Sequence, residues 1–268
     1  MALAARLRKY AVASRIAARN SASTSRNVIA GMCSSGVTLV TLFAIYGYVF
    51  DIRGEVRGIG VATALWAIGM YSVYWAVGMR NVFRDMADDV KQGSVEVLLN
   101  KPVDYIFLTV AQRFGRQIWT LLASIVIIVS LLFVFTGPTP IDFSWLWFVQ
   151  FVLLLLFGLL LSAIGFSLIG LSAFWIDDPT PVMWMFDKGV MVLGGALLPV
   201  ALFPPVVRYI AEWSPMGAML SFSQAFNPDF PSRFPHLFAS QVLWCVVFGL
   251  ITVAVWHRAK KILSVYGG

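Results

Sequence analysis

Between two long apolar runs, residues 84–107 read RDMADDVKQGSVEVLLNKPVDYIF. Asp85, Asp88, Asp89, Glu96 and Asp104 alternate there with Arg84, Lys91 and Lys101. Phe83, Met86, Val90, Val97 and Leu98 interleave with the charges. Met86 and Val90 stand four apart and so share one helical face. Gly93 then breaks the helix, and Pro102 ends the next segment. The pattern predicts a short amphipathic helix of mixed charge joining two membrane spans. It reads in two ways. One is a solvated linker. The other is a docking helix whose apolar face enters a groove on a partner while its charges fix the register.

The flanking runs set the class. Of 268 residues, 59% are hydrophobic and only 12% are charged, with a mean hydropathy of +0.81. Soluble domains carry about a quarter charged residues. The runs are continuous rather than short and alternating, which argues against a β-barrel. A spanning helix needs about 20 apolar residues. The candidate runs are 28–50, 59–79, 118–136, 145–176, about 182–198 and about 237–256. The expected fold is therefore an all-α polytopic membrane protein with six transmembrane helices. The fourth run exceeds a hydrocarbon core of about 30 Å at about 1.5 Å per residue. It must tilt, kink at Gly158, Gly165 or Gly170, or project into water. If it were two spans, every later loop would change sides.

Lys and Arg orient the chain. Arg6, Arg8, Lys9, Arg15, Arg19 and Arg26 precede the first run, and Arg80, Arg84, Lys91, Lys101, Arg113 and Arg116 follow the second. Arg258, Lys260 and Lys261 follow the last, whereas the opposite loops hold Arg53, Arg57, Arg208 and Arg233. This bias places both termini in the cytoplasm. It also accounts for the net charge of +7 without nucleic acid, for which no binding motif is present.

Residues 1–26, MALAARLRKYAVASRIAARNSASTSR, contain no acid. Arg8, Arg15, Arg19 and Arg26 fall on one helical stripe, and Leu3, Leu7 and Tyr10 on another face. That is an amphipathic helix at the membrane interface; the composition also fits a cleaved presequence. The chain thus divides into an interfacial helix, 1–27, and a membrane domain, 28–268. The membrane domain carries a polar loop at 80–117 and an outer stretch at 199–236. The outer stretch is rich in proline: residues 194–220 read GGALLPVALFPPVVRYIAEWSPMGAML. Prolines this dense do not make an ordinary span. The expectation is a helix, a break, then short helices dipping into the membrane, where non-helical backbone must be buried or line water. A surface loop is the alternative.

No residue pattern points to catalysis. Asp88 and Asp89 are adjacent, as are Asp177 and Asp178, and neighbours on a helix point apart. There is no zinc-protease helix motif, nucleophile elbow or Gly-rich phosphate loop. Cys33 and Cys245 sit in apolar runs, and His236 and His257 lie far apart, so neither a metal nor another cofactor is expected in this chain. Spans one, two, three and six lack charge in their central portions. Asp187 and Lys188 sit near the cytoplasmic end of span five, with Lys188 free to snorkel. Buried charge usually marks an ion path, so energy for any transport must enter from outside the membrane. Tyr46, Tyr48, Trp66, Tyr71, Tyr74 and Trp75 cluster in spans one and two. They suit either a path for an amphipathic or lipid-like cargo, peptide or drug, or ordinary packing and interface positions.

Residues 91–116, KQGSVEVLLNKPVDYIFLTVAQRFGR, resemble a segment of the six-helix permease subunits of bacterial type-2 ATP-binding-cassette exporters. There, Gly-(hydrophobic or acid)-Leu-Leu-x-(Arg or Lys)-Pro follows span two. Lys101 takes the place of the usual arginine. LRKY near the start, the Gly-Gly to Pro run over 194–204, and SPMGAML resemble the same family. The likeness covers nearly the whole chain. It implies two permeases, identical or different, around a central path in the bacterial inner membrane. A dimer of ATPase subunits beneath them would hold ATP and Mg, since no phosphate-binding motif occurs in this chain. On this resemblance, coupling to the ATPase falls to Asp88, Asp89, Lys91, Glu96 and Leu98. The extracellular gate falls to Pro199, Phe203, Pro204, Pro205 and Pro215. A non-transporting membrane scaffold and a self-sufficient secondary carrier are the rival readings.

Overall fold

Every regular element in this computed structural model is helical, and it describes residues 2–22, 25–55, 58–99 and 102–266. The helices are α1 (Ala2–Ala22), α2 (Ser25–Arg53), α3 (Val61–Val77), α4 (Val82–Lys91), α5 (Ser94–Leu99), α6 (Tyr105–Thr136), α7 (Trp145–Leu171), α8 (Thr180–Leu193), α9 (Pro205–Trp213), α10 (Pro215–Ala218) and α11 (Phe230–Tyr266). Among the described residues, four helical stretches are long and apolar enough to cross a membrane: Val61–Lys91, Tyr105–Thr136, Trp145–Phe174 and Phe230–Lys261. The described apolar part of α2 is Leu39–Ile52. With 14 residues, α8 reaches only about 21 Å, less than the hydrocarbon thickness of about 30 Å.

The core sits around α3. Of its most apolar window 78% is buried, against 22% for α6 and 17% for α11. Those two long helices therefore turn their apolar side chains outward, as lipid-facing helices do. Several interior polar groups pair with one another across helices, as an apolar setting favours. Trp66 Nε1 donates to Thr136 Oγ1 at 3.1 Å, and Ser162 Oγ lies 3.1 Å from the Tyr74 hydroxyl. Gln241 Nε2 donates to the Leu154 and Ala218 carbonyls, both at 2.9 Å.

The structure bears on three sequence expectations. First, the fourth apolar run is one unbroken helix that ends in a 3-10 turn, Ser172–Phe174. Its glycines admit neighbours. A Cβ at Gly158 would stand 2.5 Å from the Met219 carbonyl oxygen, and one at Gly170 would stand 2.9 Å from Met86 Cβ. Second, the loop expected over 80–117 is largely helix. Asp104 caps α6, accepting from Ile106 N at 3.1 Å and Phe107 N at 3.2 Å. That cap starts the helix well before its apolar part. In the same way α11 begins at Phe230, inside the stretch expected over 199–236. Third, the aromatic residues of α2 and α3 do not line a path within this chain. Tyr46, Trp66, Tyr71 and Tyr74 are buried in the core, and Trp75 stacks under the Arg80 guanidinium at 3.4 Å. Of this group only Tyr48 is largely exposed.

Candidate functional site

The charged loop folds into a helix-turn-helix against one end of the bundle. In α4 the apolar stripe Val82, Phe83, Met86 and Ala87 is buried. It lies on α7, where Gly170 lets Met86 Cβ and the Phe83 backbone approach, and Phe166, Ile169 and Met183 complete the contact. This corrects the expectation that Met86 and Val90 would enter a partner's groove. The face is taken by the protein's own bundle, because α7 offers a glycine beneath it. Arg84, Asp88 and Lys91 remain exposed. Gly93, at φ +71, makes the left-handed turn into α5. There Val95 is buried and Leu98 packs against the core, while Glu96, Val97 and Leu99 face outward.

Of the five expected coupling residues, Asp88, Lys91 and Glu96 are thus exposed, whereas Asp89 and Leu98 turn inward. The Asp89 carboxylate ties three helices. Ser94 Oγ donates to it at 2.8 Å from α5, and the Tyr105 hydroxyl at 3.0 Å from α6. Asp89→Ala removes the acceptor of both hydroxyls and is expected to cost about 1–3 kcal/mol, read as a lower thermal unfolding midpoint in detergent. The motif residue Lys101 lies outside the described residues.

A second tie was not legible in the sequence. Asp85 accepts from Arg113 Nε at 3.0 Å and also from Arg116. Arg113 is buried and donates further to the Asn81 carbonyl at 3.1 Å. These arginines had counted only toward the orientation of the chain. Their partner lies 28 residues away from Arg113, and no local pattern announces it. Next to this cluster, Arg80 reaches Asp187 of α8 at 3.7 Å, and Lys188 Nζ lies 5.5 Å from the centre of the Trp184 ring.

Helix α1 runs alongside the first turns of α6. The Asp104 N–H donates to the Tyr10 hydroxyl at 2.9 Å, Trp119 Nε1 donates to the Ala18 carbonyl at 3.0 Å, and Ser21 Oγ donates to the Arg116 carbonyl at 3.0 Å. The Lys9 ammonium donates to the Pro102 carbonyl. Contact is this close because Gly115 has no side chain: a Cβ there would stand 2.0 Å from the Ser14 carbonyl oxygen. Arg8, Arg15 and Arg19 stay exposed. The side chains of Leu3, Leu7 and Arg26 lie outside those described.

At the opposite end the proline-rich stretch divides: residues 217–227 pack inward, whereas residues 204–207, Tyr209 and Ile210 stay exposed. Ser221–Phe226 is buried throughout, and the Phe226 ring lies 5.0 Å from Trp66 and 5.6 Å from Trp147. Pro205 and Pro215 stand at the first positions of α9 and α10, where a missing N–H costs nothing. Pro199 and Phe203 are buried, Phe203 beside Val200 and Ala211; Pro204 and Pro205 are exposed, and Pro215 is half-buried. An ion cluster clips α9 to α11. Glu212, fully buried, accepts from Arg208 Nε at 3.0 Å and from Arg233, and His236 Nε2 lies 3.3 Å away. Asp229 accepts from Arg208 at 2.8 Å.

Of the two adjacent acids after α7, Asp178 holds the turn into α8. The Thr180 hydroxyl, donating at 2.6 Å, and the Thr180 N–H, at 3.1 Å, hold the Asp178 carboxyl below the usual range.

A bundle of apolar helices, with a polar helix-turn-helix pinned to one end and short proline-started helices at the other, defines a polytopic membrane protein. The sequence pattern of the ABC-2 family transporter proteins matches residues 35–266, and the chain belongs to that family. It is accordingly a membrane-embedded permease subunit, a transport component that associates with an ATPase subunit. A search of the curated proteins finds no match.

Proposed function

We propose that this permease is driven outward-moving by a separate ATPase dimer holding ATP and Mg, and that α4 and α5 carry the drive. In this reading α2, α3, α6, α7 and α11 cross the bacterial plasma membrane, α8 makes the sixth passage only together with residues 194–198 that continue it, both termini are cytoplasmic, and a second permease, of the same or a different chain, completes the path. The observation that carries the reading is the two-sidedness of the helix-turn-helix. Asp88, Lys91, Glu96 and Val97 face outward, and Val97 is 63% exposed. The other side is fixed to α6 through Asp85 and Asp89 and to α7 through Met86. A push on α5 is therefore passed to the spans. ATP biases the permease only through contacts that differ between its states, and exposed charged and apolar groups on a rigid mount supply such contacts. Pro199, Phe203, Pro204, Pro205 and Pro215 belong to the extracellular gate in the same reading.

The test is Glu96→Arg combined with Val97→Asp in the co-expressed complex. Vanadate-sensitive ATP hydrolysis is expected to persist while transport falls about tenfold or more, the effect of losing a contact of about 1.4 kcal/mol. The bundle's unfolding midpoint should stay within about 2 °C, since both side chains are on the surface. Transport unchanged alongside unchanged ATPase binding would sink the assignment. A complex that only dissociates more easily, with no transport to lose, would favour a scaffold.

A further inference from the structure

We infer that the cleft between α1 and α6 is a binding site for the phosphate headgroup of an anionic membrane lipid. The cleft has a volume of about 800 Å³ and is lined by Asn20, Gln112, Arg113, Arg116, Gln117 and Thr120, with Ile16 and Ala76 among its apolar walls. That volume suits a headgroup and its glycerol. Among the described residues no carboxylate lines it. Two guanidiniums face it, and the acid that pairs with both, Asp85, leaves the group with a net positive charge. Arg116 is 37% exposed at its side chain and, with one donor on Asp85, keeps others for a planar two-point contact with phosphate oxygens. Helix α1 adds no acid and three exposed arginines, Arg8, Arg15 and Arg19.

The position selects a lipid over a soluble anion. The cleft lies where α6 passes from polar to apolar sequence. Trp119 at the level of the cleft, and Leu122 and Val126 on the turns that follow, are exposed on α6. Trp marks the membrane–water boundary, and the two aliphatic residues continue as a track for acyl chains. A molecule with phosphate at one end and hydrocarbon at the other meets the cleft and the track together.

The experiment is native mass spectrometry of the full chain in detergent, with added phosphatidylglycerol, phosphatidylcholine or inorganic phosphate. Phosphatidylglycerol should be retained on wild type in preference to phosphatidylcholine, and about tenfold less well on Arg116→Gln. Arg116→Lys should restore part of the retention. Gln112→Leu, which leaves the Asp85 cluster intact, should also weaken it, so that a folding defect of the arginine variant does not decide the matter. Equal retention by wild type and both variants would overturn the site. Inorganic phosphate binding as well as phosphatidylglycerol at equal concentration would overturn the lipid as its occupant.

Discussion

Glu212→Gln is expected to lower the thermal unfolding midpoint of the purified chain by about 10 °C. The carboxylate is fully buried, between Arg208 and Arg233, and His236 stands beside it. Its own backbone carbonyl accepts from Ser240 Oγ at 2.8 Å. Removing the charge leaves two guanidiniums sharing only Asp229, whose side chain is 43% exposed. Breaking a buried pair by taking one partner away costs about 3–5 kcal/mol, because the other is left desolvated and uncompensated. For a chain of this size each kcal/mol moves the midpoint by about 2–4 °C. Asp229→Asn should cost less, about 1 kcal/mol or below, because solvent screens an exposed carboxylate. The two variants in one melting experiment decide the point. If Glu212→Gln melts no lower than Asp229→Asn, the cluster is not what holds α9 to α11. The loosening should be local first: the Trp213 carbonyl, which accepts from Trp244 Nε1 at 2.7 Å, sits one residue from Glu212 and would lose its fixed position.

The same cluster shows where sequence reading stops. Arg208 and Glu212 stand four apart on α9, a pairing visible locally, but Arg233 lies 21 residues beyond Glu212. Only the return of the chain along α11 brings it in. Length and continuity made the apolar runs legible, since a bilayer imposes both. The polar stretch was legible as a helix because Met86, Val90 and Gly93 carry their meaning within one turn or two. What covered the helix was not, because that depends on Gly170 in a helix far along the chain. The start of α6 could have been placed at Tyr105: Pro102 followed by Asp104 is a stop and then a cap. The polar character of the next turns concealed it. The union of Asp85 with Arg113 and Arg116 had no comparable signal. Charge counting gave those residues an orientation but no partner.

Gly115→Leu is expected to release α1 from the bundle. A Cβ at Gly115 would stand 2.0 Å from the Ser14 oxygen and 2.7 Å from its carbonyl carbon. Both atoms are backbone, so no rotamer change relieves the clash and the whole helix must shift. Four side-chain hydrogen bonds hold α1 there, through Lys9, Tyr10, Ser21 and Trp119. Each is worth about 0.5–1.5 kcal/mol, and each lengthens when the helices separate by the width of a leucine. Overpacking adds about 1–3 kcal/mol against the docked form. Trypsin reports the outcome at Lys9, Arg15 and Arg19, because cleavage requires the segment to leave its docked helix. Cleavage there should rise about tenfold or more in Gly115→Leu and less in Gly115→Ala, with the remaining fragment still folded. Gly249→Leu is the control: an added Cβ there meets nothing within 4 Å, and cleavage should not change. Since α1 forms one wall of the arginine cleft, phosphatidylglycerol retention should fall together with the gain in cleavage. Loss of retention without release of α1, or release without loss, would separate the helix from the site it encloses.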